Sequence, residues 1–67
     1  MIKVKAELDR IRIKSGLNIT ELAIKAEISP QGMSAILRGT YNPSPRAAKK
    51  ICEQLGVEFE DVFEIEG

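Results

Sequence analysis

The chain has 67 residues, with ten basic and ten acidic side chains, so it has the size of one small domain and a net charge of zero. It contains no histidine and one cysteine, Cys52, which excludes histidine-based catalysis, an internal disulfide and a cysteine zinc site. No apolar run approaches the ~20 residues that span a bilayer, and charged residues interrupt any signal-peptide pattern. We therefore expect a cytoplasmic domain over residues 1–67 without metal, cofactor or enzymatic role.

The first half of the chain predicts two helices separated by a glycine. Apolar residues recur on one helix face over residues 3–14, and Gly16 follows as a stop. Asn18 and Glu21 have the spacing of a capping box, in which each side chain accepts a backbone N–H from the other residue. A second helix is therefore expected to begin at Asn18.

The next two helices share one pattern, in which a serine and a proline open the helix and a glycine ends it. This pattern covers residues 29–39 and 44–56, and residues 40–43 between them predict a loop. Residues 57–65 are ambiguous, because part of the segment alternates like a strand. We predict a short helix and a tail there, so the expected fold is all-α, with five helices and no sheet.

The charges are distributed unevenly along the chain despite their balance. Residues 1–50 hold ten basic and four acidic side chains, a net charge of +6, whereas residues 51–67 hold six acidic and no basic side chains, a net charge of −6. This asymmetry suggests one surface suited to an anion and another that is kept away from it.

The third predicted helix has an unusual outward face. It follows the second helix after only about three residues, which predicts a helix-turn-helix, whose second helix enters the DNA major groove. Steps of ~100° per residue from the core residue Met33 place Gln31, Ser34, Ala35 and Arg38 outward. Glutamine can read adenine, alanine can contact a thymine methyl group, and serine can bond a base or a phosphate.

The ordered set of residues along the chain resembles the Cro/phage-repressor type of helix-turn-helix, also called the xenobiotic-response-element family. The matching residues are Leu8, Ile11, Arg12, Gly16, Leu17, Glu21, Leu22, Ala23, Ile28, Ser29, Ile36, Gly39, Asn42, Pro43, Ser44, Ile51, Leu55, Gly56 and Val57. The resemblance implies a compact five-helix, lambda-repressor-like domain that binds operator DNA, usually as a two-fold dimer, and regulates transcription.

The resemblance also implies roles for individual residues. Gln31 matches a base-reading position, and Ser34 and Ala35 match further groove-facing positions. Asn18 matches a cap that touches phosphate, and the N–H groups after Ser29 can bind another phosphate. Arg38 is expected near the DNA backbone, together with the loop residues Thr40, Tyr41 and Asn42.

Several positions depart from the family pattern. Glu27 replaces a frequent glycine in the turn, so the turn is expected to be strained or differently shaped. Leu37 replaces a frequent glutamate, so Arg12 must find another partner or solvent. Ile19 replaces a frequent phosphate-binding glutamine, and Pro30 and Gly32 lack side chains that read bases. Recognition is therefore expected to rest on few direct contacts and on DNA shape.

Two functions remain open from the sequence. The first is a DNA-binding repressor of the phage or mobile-element type, acting as a homodimer with Phe63 and Ile65 as candidate dimer contacts. The second is a protein-interaction module on the same fold, an anti-repressor or antitoxin, whose partner surface includes Ile13 and Ile24, which lie off the core faces of their helices. Cys52 is expected to be a small buried hydrophobic residue.

Overall fold

A computed structural model describes residues 1–67 as five helices and one two-stranded sheet. The helices are α1 (Glu7–Lys14), α2 (Ile19–Lys25), α3 (Pro30–Arg38), α4 (Pro45–Leu55) and α5 (Phe59–Val62), and the strands are β1 (Ile2–Val4) and β2 (Phe63–Ile65). The number of helices agrees with the sequence prediction. None of the helices is long and apolar enough to cross a membrane.

The sheet corrects the prediction that the fold has none. Strands β1 and β2 pair antiparallel, with Ile2 opposite Ile65 and Val4 opposite Phe63. Helix α1 accordingly begins at Glu7 rather than near residue 3. The error arose because Val4 fits the apolar face of α1 by spacing, whereas its strand partner lies almost the whole chain away and leaves no local pattern.

The core collects apolar residues from every helix and both strands. Twelve hydrophobic residues are buried, and no polar or charged residue is buried with them. Phe63 is fully buried, so the expectation that it forms a dimer contact is wrong, whereas Ile65 is 73% exposed. Cys52 is buried, as predicted, and burial together with nearby carboxylates raises the pKa of its thiol.

The helix ends are formed by the residues that the sequence indicated. Asn18 Oδ1 accepts the Glu21 N–H at 2.7 Å, and Glu21 Oε1 accepts the Asn18 N–H at 2.9 Å, which completes the capping box. Ser29 and Ser44 accept N–H groups at the starts of α3 and α4. Gly39 ends α3 with a φ of 78°, in the left-handed region where glycine is favoured.

Candidate nucleic-acid interface

The turn between α2 and α3 keeps its tight shape around Glu27, which carries the strain predicted there. Glu27 has a φ of 59°, and it is the only residue other than glycine with a positive φ in the structure. The Ile28 N–H donates to the Ala23 carbonyl at 2.8 Å and closes the turn. A side chain in this conformation is unfavourable, and glycine would adopt it more readily.

Packing of α2 on α3 brings the starts of the two helices together. They enclose a shallow surface depression, which we call the recognition surface, lined by Ile19, Thr20, Pro30, Gln31, Ser34 and Arg38. Three of the predicted DNA-binding residues, Gln31, Ser34 and Arg38, therefore lie side by side. No acidic residue is among the six, so a phosphate or a base edge would meet no negative charge in this depression.

The side chains on the outer face of α3 differ in solvent exposure and in whether their polar groups already have hydrogen-bond partners. Gln31 is exposed, whereas Ser34 and Ala35 are half-buried. Arg38 Nη1 donates to Ser34 Oγ at 3.1 Å, so the exposed guanidinium group lies along the helix surface. Gln31 is therefore the member of this face with the most freely accessible donor and acceptor groups.

The two N-terminal caps retain hydrogen-bond donors for a ligand. Asn18 uses Oδ1 as the cap acceptor, which leaves its Nδ2 group available to donate. Ser29 Oγ accepts the Gly32 N–H at 3.0 Å, and its hydroxyl proton can still be donated. Both residues are exposed at helix N-termini, where the helix dipole favours an anion.

The loop after α3 divides its predicted residues between two regions. Thr40 Oγ1 donates to the Ala35 carbonyl at 3.2 Å and so closes the end of α3, while Tyr41 is 58% exposed. Asn42 is half-buried, and its Nδ2 donates to Met1 Sδ at 3.0 Å. Asn42 therefore faces the chain terminus and is not brought together with the recognition surface.

Sequence reasoning missed Thr20, which is exposed and lines the recognition surface beside Gln31. Within α2 nothing distinguishes Thr20 from any polar residue near a helix start, so only the packing of α2 on α3 reveals its position.

Arg12 found a partner within the protein. Its Nε donates to Asp9 at 2.9 Å and its Nη1 donates to the Leu17 carbonyl at 2.8 Å, which holds the α1–α2 connection.

The acidic C-terminal residues lie in a different part of the fold. Helix α3 packs mainly on α2, whereas α5, with its acidic neighbours, packs on α1, α4 and β2. One acid, Glu27, remains close to the recognition helix, and its carboxylate accepts a hydrogen bond from Lys50 Nζ at 2.6 Å. This hydrogen bond lowers the pKa of Glu27, and the charges of Lys50 and Arg46 act in the same direction.

A second surface, which we call the apolar groove, is formed by the two ends of the chain, the loop before α4, one face of α4 and the segment that leads into α5. Its apolar lining comes from Met1, Ile2, Pro43, Val57, Phe59 and Ile65, and its cavity volume is about 1100 Å³. Lys49, Glu53 and Glu58 also line it, so it carries charges of both signs. Elsewhere, Ile13 and Ile24 are 60% and 68% exposed, as expected.

Comparisons with known proteins agree with this geometry. A model of the helix-turn-helix family HTH_3 matches residues 8–62. The chain is 38% identical over 60 residues to the uncharacterized HTH-type transcriptional regulator MJ0272 of Methanocaldococcus jannaschii, covering 90% of this chain and 91% of that protein.

Solved structures of transcriptional regulators share the fold. The clp gene regulator ClgR from Corynebacterium glutamicum superposes with a TM-score of 0.78 at 30% identity, over 84% of this chain and 60% of that one. The biofilm master regulator SinR, in complex with DNA, superposes with a TM-score of 0.74 at 29% identity, over 81% and 87% of the two chains. This chain therefore spans somewhat less than two thirds of that ClgR chain and most of the SinR chain. With the family model matching most of its length, the chain belongs to the Cro/phage-repressor type of the helix-turn-helix family, the DNA-binding transcriptional regulators.

Proposed function

We propose that this protein is a sequence-specific repressor of the phage or mobile-element type, which binds operator DNA with α3 in the major groove. The observation that carries this proposal is the recognition surface. It joins the starts of α2 and α3, contains no acid, and presents Gln31 beside short polar side chains. A helix with small outward residues can approach base edges closely, and a glutamine can then make a bidentate contact with adenine.

The remaining contacts are assigned by chemistry and position. Ser34 and Ala35 would face the groove, although their half-buried positions limit them to short-range contacts. The Asn18 amide and the Ser29 hydroxyl would donate to phosphates on either side of the groove. These two residues set the register of α3, because phosphate contacts position a protein without reading sequence.

Residues after the middle of α3 would contact the DNA backbone. Arg38 would do so after turning from Ser34, and Thr40 and Tyr41 would follow along the loop. Asn42 reaches a phosphate only if its amide releases Met1.

We also propose that the protein acts as a homodimer through the apolar groove. Met1 and Ile65 are 67% and 73% exposed at its edge, and a second copy would cover them. The groove is suited to a two-fold contact, because Lys49 of one copy can pair with Glu53 or Glu58 of the other. The two α3 helices would then read half-sites about one DNA turn, ~34 Å, apart.

The test is binding to the DNA upstream of the protein's own gene, compared with random duplexes of equal length at physiological salt. We expect a specific site, protected in a footprint as two half-sites, to bind at least ~10³-fold tighter than random DNA. A reporter driven by that promoter should fall in expression when the protein is supplied. Equal affinity for all duplexes would contradict sequence-specific recognition, and a rise in expression would make the protein an activator.

The exposed side chains of Ile13 and Ile24 favour a second candidate function, a protein-interaction module such as an anti-repressor or antitoxin. In that case the protein should co-purify with a partner, and Ile24→Asp should release the partner. Retention of a partner together with no salt-dependent shift of any DNA would favour this function over the repressor. A toxin gene or a divergent larger repressor beside the gene would point the same way.

A further inference from the structure

The turn of the helix-turn-helix contains an acid at the position where the backbone least favours a side chain. Glu27 has a φ of 59°, which glycine adopts without penalty, and its side chain is 73% exposed and pairs with one partner. Two residues further along the chain, Ser29 caps α3 at the end that is proposed to face phosphates.

The partner of Glu27 is a lysine that is far away in the sequence. Lys50 of α4 reaches the turn, and its Nζ lies 2.6 Å from Glu27 Oε2, which makes one of only two side-chain ion pairs in the structure. A separate depression lies between the turn and α4. Arg46, on the first turn of α4, lines it together with Glu27 and Lys50. The turn therefore holds an acid against two basic residues of α4, in a depression that also includes Ile28, the residue before the α3 cap.

This ion pair should lower the affinity of the protein for an anionic ligand. Affinity for DNA rises with each phosphate that a lysine or arginine neutralises, and it does so for every sequence. While Lys50 is bound to Glu27, its charge is already neutralised, and the depression presents one cation less to the DNA backbone. The fold of the turn gains little from this pair, because Glu27 is largely exposed, Lys50 is partly exposed, and glycine suits the conformation better.

We propose that Glu27 is an attenuator of DNA affinity, which withholds Lys50 from the phosphates and so weakens binding to all sequences by a similar factor. This inference rests on the proposed DNA binding. It predicts that the neutral variant Glu27→Gln binds DNA more tightly than the wild type, with the gain carried by Lys50.

The experiment measures binding to one random duplex at several salt concentrations, so it requires no knowledge of the operator. Glu27→Gln should bind more tightly, and one additional phosphate contact should steepen the salt slope by ~0.9. The gain should therefore be about threefold larger at 50 mM than at 200 mM salt. Combining Glu27→Gln with Lys50→Gln should return affinity and slope to near the wild-type values. Circular dichroism confirms that each variant is folded.

Two control variants separate the proposed cause from others. Glu64→Gln removes the same charge from an exposed position on β2, so an equal gain there would attribute the effect to net charge and overturn the proposal. Glu27→Gly removes both charge and strain, so a gain in Glu27→Gly but not in Glu27→Gln would also overturn it. If the wild type binds and Glu27→Gln binds no tighter, the inference alone fails. If no variant binds any duplex at 50 mM salt, the proposed function itself fails.

Discussion

The recognition surface and the apolar groove are built in opposite ways. The recognition surface takes all its residues from a stretch of twenty positions, 19–38, and the side chains there are oriented by caps and turns within that stretch. The apolar groove is assembled from both ends of the chain, the loop before α4, α4 and the segment after it, and the two ends meet only when β1 and β2 pair. The first surface is therefore a product of local structure, and the second is a product of the complete fold.

The largest effect is expected when the hydrophobic core, on which both surfaces depend, is disrupted. Phe63, the first residue of β2, has a fully buried side chain, so Phe63→Ala should lower the free energy of unfolding by about 3–5 kcal/mol. That is a large part of the ~5–15 kcal/mol that stabilises a typical domain, so both surfaces should be lost. Urea denaturation followed by circular dichroism measures the change. The neighbouring exposed variant Glu64→Ala should stay within about 0.5 kcal/mol of the wild type.

A charge introduced into the apolar groove should weaken the proposed dimer and leave the recognition surface unchanged. Ile65→Asp should weaken the dimer by about 1.5–3 kcal/mol, roughly 10- to 150-fold in its dissociation constant, because an exposed isoleucine would no longer be buried by the second copy. Sedimentation equilibrium measures this constant. The matched control is Ile24→Asp, which changes an equally exposed isoleucine outside the groove. Equal weakening by both variants would contradict a dimer through the groove.

A change at the recognition surface should affect DNA selection without affecting association. Gln31→Ala should remove about 1–3 kcal/mol of base discrimination, roughly 5- to 150-fold, if the side chain makes a bidentate contact with adenine. Competition between the operator and single-base variants measures the loss. Gln54→Ala, which changes an exposed glutamine on α4, should leave discrimination intact. Unchanged discrimination in Gln31→Ala would remove this residue from the proposed readout.

The smallest expected effect concerns Asn18, whose capping of α2 and proposed contact with phosphate can be tested separately. Asn18→Ala should cost about 1 kcal/mol of stability, because α2 loses its cap. Asn18→Asp keeps the acceptor oxygen, so it should preserve stability while weakening binding to every DNA sequence, through loss of the amide donor and repulsion of phosphate. Thermal unfolding and filter binding measure the two effects. Wild-type DNA affinity in Asn18→Asp would show that Asn18 serves the helix alone.

Sequence reasoning succeeded where the determinants are close together in the chain. Asn18 and Glu21 are three residues apart, as are Ser29 and the N–H that it accepts, so the starts of α2 and α3 followed from spacing alone. The outward set on α3 followed from helix periodicity, and packing placed Gln31, Ser34 and Arg38 together as expected.

The features that sequence reasoning missed depend on contacts between distant residues. The pairing of Ile2 with Ile65 joins positions at opposite ends of the chain, and Lys50 reaches Glu27 across 23 residues. The Asn42 amide donates to Met1 Sδ, 41 residues away, a contact that its position in the loop does not predict. Periodicity carries no information about such partners, because it describes only which face of one element is apolar.

The pairing of β1 with β2 also bears on the order in which the molecule takes shape. The first strand to leave the ribosome must wait for the last, whereas α2, the turn and α3 can associate as soon as residue 38 is free. Closing a loop of about sixty residues is slower than closing short ones, so the recognition surface should form before β1 pairs with β2. An unfinished chain would then already carry the recognition surface while the apolar groove is still missing.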